Sequence, residues 1–350
     1  MELLKTIKKN TILLLFITSI VLFFILKDNF DEIVKALSSM DYKYILIAIL
    51  FYFGYLFLKS IANYTTINDK ERISLKEAFK HDTIVQFFNG VTPFSTGGQP
   101  MEIYMLTEHD IKATKAADIS IQNFIFYQTA LVIYGALAVT YNFFFHLFPK
   151  AELLRKLVLL GFVINSLVAI GLLLLLTSSK ATKKIVGTII SFLSKIHIIK
   201  DRESFEEKAF RKLDEFHEGA SDLRKRKGLY TKGVLLHLAS LTCQYIIPLF
   251  IVYSLHDYTS INVLETLTAS AYVLLMGSFV PIPGASGGIE FGFMQFYGNF
   301  ITGSSLTAVL IVWRFITYYF PMIVGALVFS LEKKVKEWEL DYLPIPILLI

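Results

Sequence analysis

Two short segments carry the residues best placed to do chemistry. Pro93-Phe94-Ser95-Thr96-Gly97-Gly98 and Pro283-Gly284-Ala285-Ser286-Gly287-Gly288 share the pattern Pro-x-x-Ser/Thr-Gly-Gly, and each is followed by one glutamate, Glu102 or Glu290. Both interrupt stretches otherwise apolar enough for a bilayer. Pro and Gly break helices, and broken backbone at membrane depth survives only where it lines a protein interior or a wet cavity. Paired interruptions in the two halves of a membrane protein point to a transporter's substrate site. Transport is therefore the leading expectation.

Each glutamate is expected in the first turn of a half-helix that starts after Gly-Gly, with Pro100 at a first helical position. A carboxylate there steadies the positive helix end. The functional alternative is that free N–H groups of the two half-helices face one cavity and bind anionic oxygens. The glutamates would then meet a cationic headgroup or carry a coupling proton. Arg314 lies mid-way along a third apolar run, where insertion costs about 2.5–3.5 kcal/mol or more. It needs a partner: an ion pair with Glu290, or a lipid phosphate held by its fork of donors. Pro93, Thr96, Gly97, Gly98, Glu102, Pro283, Ser286, Gly287, Gly288, Glu290 and Arg314 form the candidate substrate-binding set.

These residues need helices that cross a membrane. Hydrophobic residues make up 54% of the 350, with 31 Phe and 18 Tyr, and mean hydropathy is +0.56. A soluble domain of this size cannot hide so much apolar surface, so the class is an all-α polytopic membrane protein. Residues 1–350 read as one membrane domain. The single cysteine, Cys243, excludes an intramolecular disulfide. Spans are expected near 11–26, 44–58, 119–142, 157–177, 233–255 and 305–330, with true ends running into flanking polar residues. The lysines before residue 11 precede no small-x-small cleavage site, so the first run reads as an uncleaved span.

Charge placement sets an orientation. With the N-terminus cytoplasmic, 27 of the 34 Lys and Arg fall on the inner side and 6 on the outer, Arg314 being the remaining one. That distribution, rather than nucleic-acid binding, accounts for the net charge of +5. The first motif region (83–106) must then start and end inside, and the second (264–302) outside. The unit span–hairpin–span occurs at 44–142 and again, inverted, at 233–330. The expected architecture is an inverted-topology repeat with two opposed re-entrant helical hairpins. Both termini would be cytoplasmic.

Residues 177–232 form a cytoplasmic amphipathic segment. Phe205, Ala209, Leu213, Phe216 and Ala220 recur at helical steps, which suggests a helix lying on the inner membrane surface. Arg224-Lys225-Arg226-Lys227 reads as an anchor for the next span or as an anionic-lipid patch. A short amphipathic helix is expected at 28–43. His81-Asp82 and His217-Glu218 are too sparse for a metal site. No Walker loop, Gly-x-Ser-x-Gly, His-Glu-x-x-His or Cys/His cluster is present, so no metal, cofactor or ATP-driven step is expected.

Phe88 to Tyr104, Val280 to Glu290 and Arg314 to Gly325 resemble three signatures of the lysylphosphatidylglycerol synthase transmembrane-region family. That family includes the flippase part of the bacterial multiple peptide resistance factor. The resemblance implies a bacterial inner-membrane protein that moves aminoacylated phosphatidylglycerol or another polar lipid between leaflets. It implies that Gly97, Gly98, Glu102, Gly287, Gly288, Glu290 and Arg314 line the lipid path. The full-length synthases carry a soluble lysyl-transfer domain; this sequence ends at Ile350 after a short tail, so that chemistry is expected from a separately encoded synthase, if any. The rival readings are the membrane component of a phosphatidylglycerol lysyltransferase system, and a non-transporting scaffold in envelope biogenesis.

Overall fold

Helix α1 (Phe30–Ser38) precedes a long helix, α2 (Tyr42–Ile67). This computed structural model describes residues 30–69, 71–149, 152–195, 201–220, 226–278 and 280–332. The apolar run at 11–26 with its lysines, Arg224 and Lys225, and the tail beyond 332 lie outside the described residues. All regular structure among the described residues is helical.

After α2 the chain forms a broken hairpin. Helix α3 (Leu75–Val91) leads into a 3-10 turn at Pro93–Ser95 and then α4 (Gly98–Thr107). The long α5 (Ala113–Phe145) comes next, then α6 (Glu152–Thr177), α7 (Ser179–Lys195) and α8 (Arg202–Ala220). The second half repeats the order. Helices α9 (Lys227–Tyr245) and α10 (Ile247–Ser254) form one broken span, followed by α11 (Val263–Gly277), a 3-10 turn at Pro283–Ala285 and α12 (Gly288–Tyr297). Helix α13 (Gly303–Arg314) then passes through a π-helical turn, Phe315–Tyr319, into α14 (Phe320–Leu331).

Among the described residues, five helical stretches are long and apolar enough to cross a membrane: Tyr42–Ile67, Ala113–Phe145, Leu154–Leu174, Lys227–Ser254 and Gly303–Leu331. Four of them exceed the apolar runs in the sequence at both ends or nearly so, because polar residues complete the helix ends. The break between α9 and α10 comes from Pro248, which cannot donate into the preceding turn. Pro321 has the same effect further on. It cannot donate to the carbonyl of Thr317, and the helix widens to a π turn in which the Phe320 N–H bonds the Phe315 carbonyl instead.

The two halves pack reciprocally. The first spans, α2 and α9, lie against one another. Hairpin leg α3 packs on α14, the last span of the other half, while hairpin leg α11 packs on α5, the last span of the first half. Each second leg, α4 or α12, lies on the last span of its own half, and the two 3-10 turns touch. Phe293 stacks between Tyr297 and Trp313, at centroid distances of 4.2 and 4.7 Å, which fixes α12 on α13.

Both hairpins begin with the same local device. Ser74 accepts from the Glu77 N–H while the Glu77 carboxylate accepts from the Ser74 N–H; Asn262 and Glu265 do the same at the head of α11. The Ser74 hydrogen bonds hold the Glu77 carboxyl below its ordinary range. Helix α8 covers 202–220 as its periodicity indicates, but Ala209 and Leu213 are buried against protein, with α7 and α5 as neighbours. An amphipathic helix needs an apolar partner, and here α7 supplies one in place of the bilayer alone.

Candidate functional site

A cavity of about 680 Å³ lies between the two hairpins and the spans around them. Helix α2 contributes Tyr55, Lys59 and Asn63, spaced four residues apart and hence on one face. Helix α3 contributes Asp82, Gln86 and Asn89, and α5 contributes Ser120, Asn123 and Tyr127. His237 and Gln244 come from α9, Arg314 from α13, and Thr317, Tyr318 and Pro321 from the π turn and the helix beyond it.

The charged groups form two ion pairs and leave one carboxylate over. Lys59 Nζ lies 3.3 Å from Asp82 Oδ1, which also accepts from Asn63 Nδ2 at 2.6 Å. Arg314 Nε donates to Glu290 Oε1 at 2.6 Å, and its Nη2 donates to the Gly284 carbonyl at 3.1 Å. Glu102 accepts from Ser120 Oγ at 2.7 Å and from Asn123 Nδ2 at 3.2 Å, both neutral donors. No ion pair to Glu102 exists among the described residues, although Lys59 and Asp82 lie within electrostatic reach.

The two motif turns are built alike and end differently. Thr92 and Ile282, ahead of the two prolines, have φ/ψ of −114/144° and −118/143°. Phe94 and Gly284 are both left-handed, at 52/18° and 61/15°. The glycine is needed in the second copy, because a Cβ at Gly284 would enter the Tyr318 ring. Thr96 and Gly97 then stay right-handed, with φ/ψ of −75/−13° and −78/−17°, whereas Ser286 is extended and Gly287 takes φ 87°, ψ −49°. Few L-residues tolerate that last conformation.

The glutamates consequently differ. Glu290 is the third residue of α12, where its Oε2 accepts the Gly287 N–H at 2.6 Å. Helix α4 begins at Gly98, so Pro100 is its third residue and Glu102 its fifth. The expectation that Glu102 sits in the first turn is corrected, since the first turn of α4 holds no acidic residue. Pro100 fits its place because the first four N–H groups of a helix have no intrahelical acceptor. The Gly97 N–H is taken by Thr92 Oγ1 at 2.9 Å, just as the Gly287 N–H is taken by Glu290.

Of the residues singled out from sequence, Thr96, Gly98, Glu102 and Arg314 line the cavity. Pro93 starts the first turn, and Gly97 is held by Thr92 behind the wall. Pro283 and Ser286 are buried in the second turn; Glu290 is buried against Arg314, and Gly287 and Gly288 form the start of α12 outside the cavity lining. Lys59, Asp82, Asn123 and His237 join the site from positions that the motif pattern does not mark. Lys59 falls just past an apolar run that ends at residue 58, so hydropathy assigns it to the inner polar segment. The legible signal is the four-residue polar stripe on α2 and again on α3.

Tyr318 ties the site together. The Arg314 guanidinium lies 4.3 Å over its ring, and its hydroxyl donates to the Gly90 carbonyl of the first hairpin at 2.8 Å. The end of α13 thus presents Arg314 to the second hairpin, and the π turn that follows presents Tyr318 to the first.

Both signature segments therefore sit on one cavity, and the family comparison covers all of it. The family model described as lysylphosphatidylglycerol synthase TM region matches residues 11–325. The chain belongs to that family. No curated protein matches it in a sequence search. Family membership and, among the described residues, five helices of membrane-crossing length make this a multi-pass membrane protein of lipid metabolism or transport. In this member of the lysylphosphatidylglycerol synthase TM-region family, the motif turns at Pro93 and Pro283 and the Arg314 segment meet at the cavity.

Proposed function

We propose that the protein moves a polar lipid between leaflets, with the headgroup crossing through the cavity while the acyl chains stay in the bilayer. The observation that carries this reading is a cavity, lined by charged and carboxamide side chains beside apolar ones and bounded by two broken hairpins whose turns touch. Its volume, about 680 Å³, falls in the range of ligand sites, roughly 300–1,000 Å³. The reciprocal packing of α3 on α14 and α11 on α5 supports an inverted-topology repeat in which the hairpins are re-entrant from opposite faces. In that arrangement both ends of the chain are cytoplasmic, in the inner membrane of a bacterium. The family description favours phosphatidylglycerol or its aminoacylated form as the lipid. Pro93, Thr96, Gly97, Gly98, Glu102, Pro283, Ser286, Gly287, Gly288, Glu290 and Arg314 are the set that would build and line the path.

Proteoliposome translocation assays test this, using lipid analogues with anionic, zwitterionic and aminoacylated headgroups. Purified protein should accelerate at least one class over protein-free vesicles. Gln244→Trp, which fills the cavity from α9 and breaks no hydrogen bond described above, should abolish the acceleration while helical content and melting temperature hold. Rates equal to protein-free vesicles for every class, or undiminished rates in Gln244→Trp, would overturn the reading.

The family's description also names a synthase, which favours a second reading: the membrane component of a lysyltransferase system that depends on a separately encoded soluble enzyme. That reading requires aminoacylated phosphatidylglycerol to accumulate only when both proteins are expressed, which lipid mass spectrometry decides.

A further inference from the structure

The two glutamates of the motif segments are held by chemically different partners. Glu290 is held by Arg314 and by the Gly287 N–H, and guanidinium and backbone N–H groups only donate. A proton on Glu290 would find no acceptor in either. Glu102 is held by the Ser120 hydroxyl and the Asn123 carboxamide. Both are ambivalent: a hydroxyl rotates between donor and acceptor, and a carboxamide turned by 180° presents oxygen in place of NH₂. Glu102 can therefore be fully hydrogen-bonded with or without a proton.

Three further features mark the place as a site rather than a lone acid. Asn123 Oδ1, on a side chain only 5% exposed, has no hydrogen-bond partner, so it stands ready as an acceptor. Asp82 Oδ2 and His237 Nε2 are likewise buried without partners, and both residues line the same cavity. The charge count is also uneven. Lys59 and Arg314 balance Asp82 and Glu290, which leaves the cavity one positive charge short by the amount of Glu102.

We propose that Glu102 is an exchangeable proton site of the central cavity, loaded and unloaded while Ser120 and Asn123 reverse their hydrogen bonds, and that movement of a headgroup past it is coupled to that proton. The groups facing it are Lys59 on α2, Asp82 on α3, Ser120 and Asn123 on α5, with His237 across the cavity on α9. Lys59 holds the Asp82 carboxylate in place, so the variable charge falls on Glu102. The proton site stands independently of lipid movement; the coupling rests on the translocation reading above.

Infrared difference spectroscopy on the purified full chain tests the site without any substrate. Between acid and neutral pH the wild-type protein should lose a carboxylic-acid carbonyl band that Glu102→Gln lacks at every pH. Exchange of sodium for potassium at fixed pH should leave the band unchanged. Gln keeps an acceptor for Ser120 and Asn123, so its fold is expected to survive, as circular dichroism would show. Should it not fold, Ser120→Ala removes one donor to the carboxylate and must move the band's midpoint to higher pH. Absence of the band in wild type, its persistence in Glu102→Gln, an unmoved midpoint in Ser120→Ala, or its loss on adding sodium would each overturn the proposal. Coupling is read separately in proteoliposomes under a pH gradient. Translocation should change by up to about tenfold per pH unit in wild type and be flat in Glu102→Gln. A titrating band with no lipid movement would sink the translocation reading and leave the proton site standing.

Discussion

The first and second hairpins use one backbone device to opposite ends. At the residue before Pro and at the left-handed residue after it, φ and ψ agree within about ten degrees, and both legs start from a capping box. They part at Thr96 and Ser286. The second turn is buried at Pro283 and Ser286, and its glutamate closes on its own helix end and on Arg314. The first turn is open, with Phe94 57% exposed, and its glutamate is hydrogen-bonded by neutral, reversible partners on α5. A repeated motif therefore need not carry a repeated role. One copy is locked in a single state and the other keeps a choice of two.

The largest expected difference between the hairpins lies in their acidic anchors. Arg314→Ala leaves the buried Glu290 carboxylate without its cation, a loss expected to cost about 3–5 kcal/mol. Adding Glu290→Gln to it should recover much of that loss, since no orphaned charge remains. The first-hairpin equivalent, Glu102→Gln, should shift the melting temperature little, because no cation is stranded. Equal melting-temperature losses for Arg314→Ala and Glu102→Gln would remove the distinction between lock and switch.

The turns differ next in how they tolerate a methyl group. At Gly287 a Cβ would meet nothing within 4 Å, but φ 87° strains any L-residue there. Gly287→Ala should cost about 1–3 kcal/mol, and no neighbouring substitution should relieve it. At Gly97 the backbone is ordinary, and the nearest obstacle to an alanine Cβ is Thr92 Cγ2 at 2.7 Å, with the Phe88 carbonyl oxygen and Thr92 Oγ1 each at 3.0 Å. Thr92→Ser removes that methyl and keeps the hydroxyl that accepts from the Gly97 N–H. Thermal melts should show Gly97→Ala rescued in part by Thr92→Ser, the Phe88 carbonyl and the retained hydroxyl still crowding the new methyl; no rescue at all would mean that the Thr92 methyl is not the main obstacle.

The likeness of the hairpins is legible in sequence and their difference is not. Pro and Gly announce a break wherever they fall in an apolar run, so both turns and the helices around them are readable. The path of the chain beyond each turn depends on tertiary partners. Placing Glu102 requires knowing that α4 starts at Gly98, and nothing in Gly-Gln-Pro-Met-Glu shows that Ser120 and Asn123 lie opposite. Hydropathy also hides Lys59, since a lysine ends an apolar window even when the helix continues to Ile67. The spacing of Tyr55, Lys59 and Asn63 holds the information, because an i, i+4, i+8 polar stripe on a membrane helix marks a wet face. Amphipathicity in 202–220 shows that α8 needs a partner without showing that α7 would supply it.

A smaller effect probes the link between the hairpins. Tyr318→Phe removes the hydroxyl that donates to the Gly90 carbonyl and leaves the stacking on Arg314. The cost should be about 0.5–1.5 kcal/mol. Hydrogen exchange should quicken in α3 rather than in α12, because the bond reaches only the first hairpin. Equal quickening in both would show that the π turn couples the hairpins as one rigid unit.

The capping boxes give the gentlest comparison, because here the two hairpins should agree. Ser74→Ala and Asn262→Ala each remove one cap, and each should cost about 0.5–2 kcal/mol at neutral pH. The first box carries a pH signature. Its hydrogen bonds to Ser74 depress the Glu77 carboxyl, so the stabilisation is present above the ordinary carboxylate range and fades as pH falls through the depressed value. Ser74→Ala keeps the backbone N–H that the carboxylate accepts from, so the pH signature is read in Glu77→Ala, whose penalty should shrink in acid, as melts across that range would report. A penalty independent of pH would mean that the Ser74 hydroxyl caps α3 alone, with the Glu77 half of the box contributing nothing. The two hairpin entrances would then differ as their glutamates do.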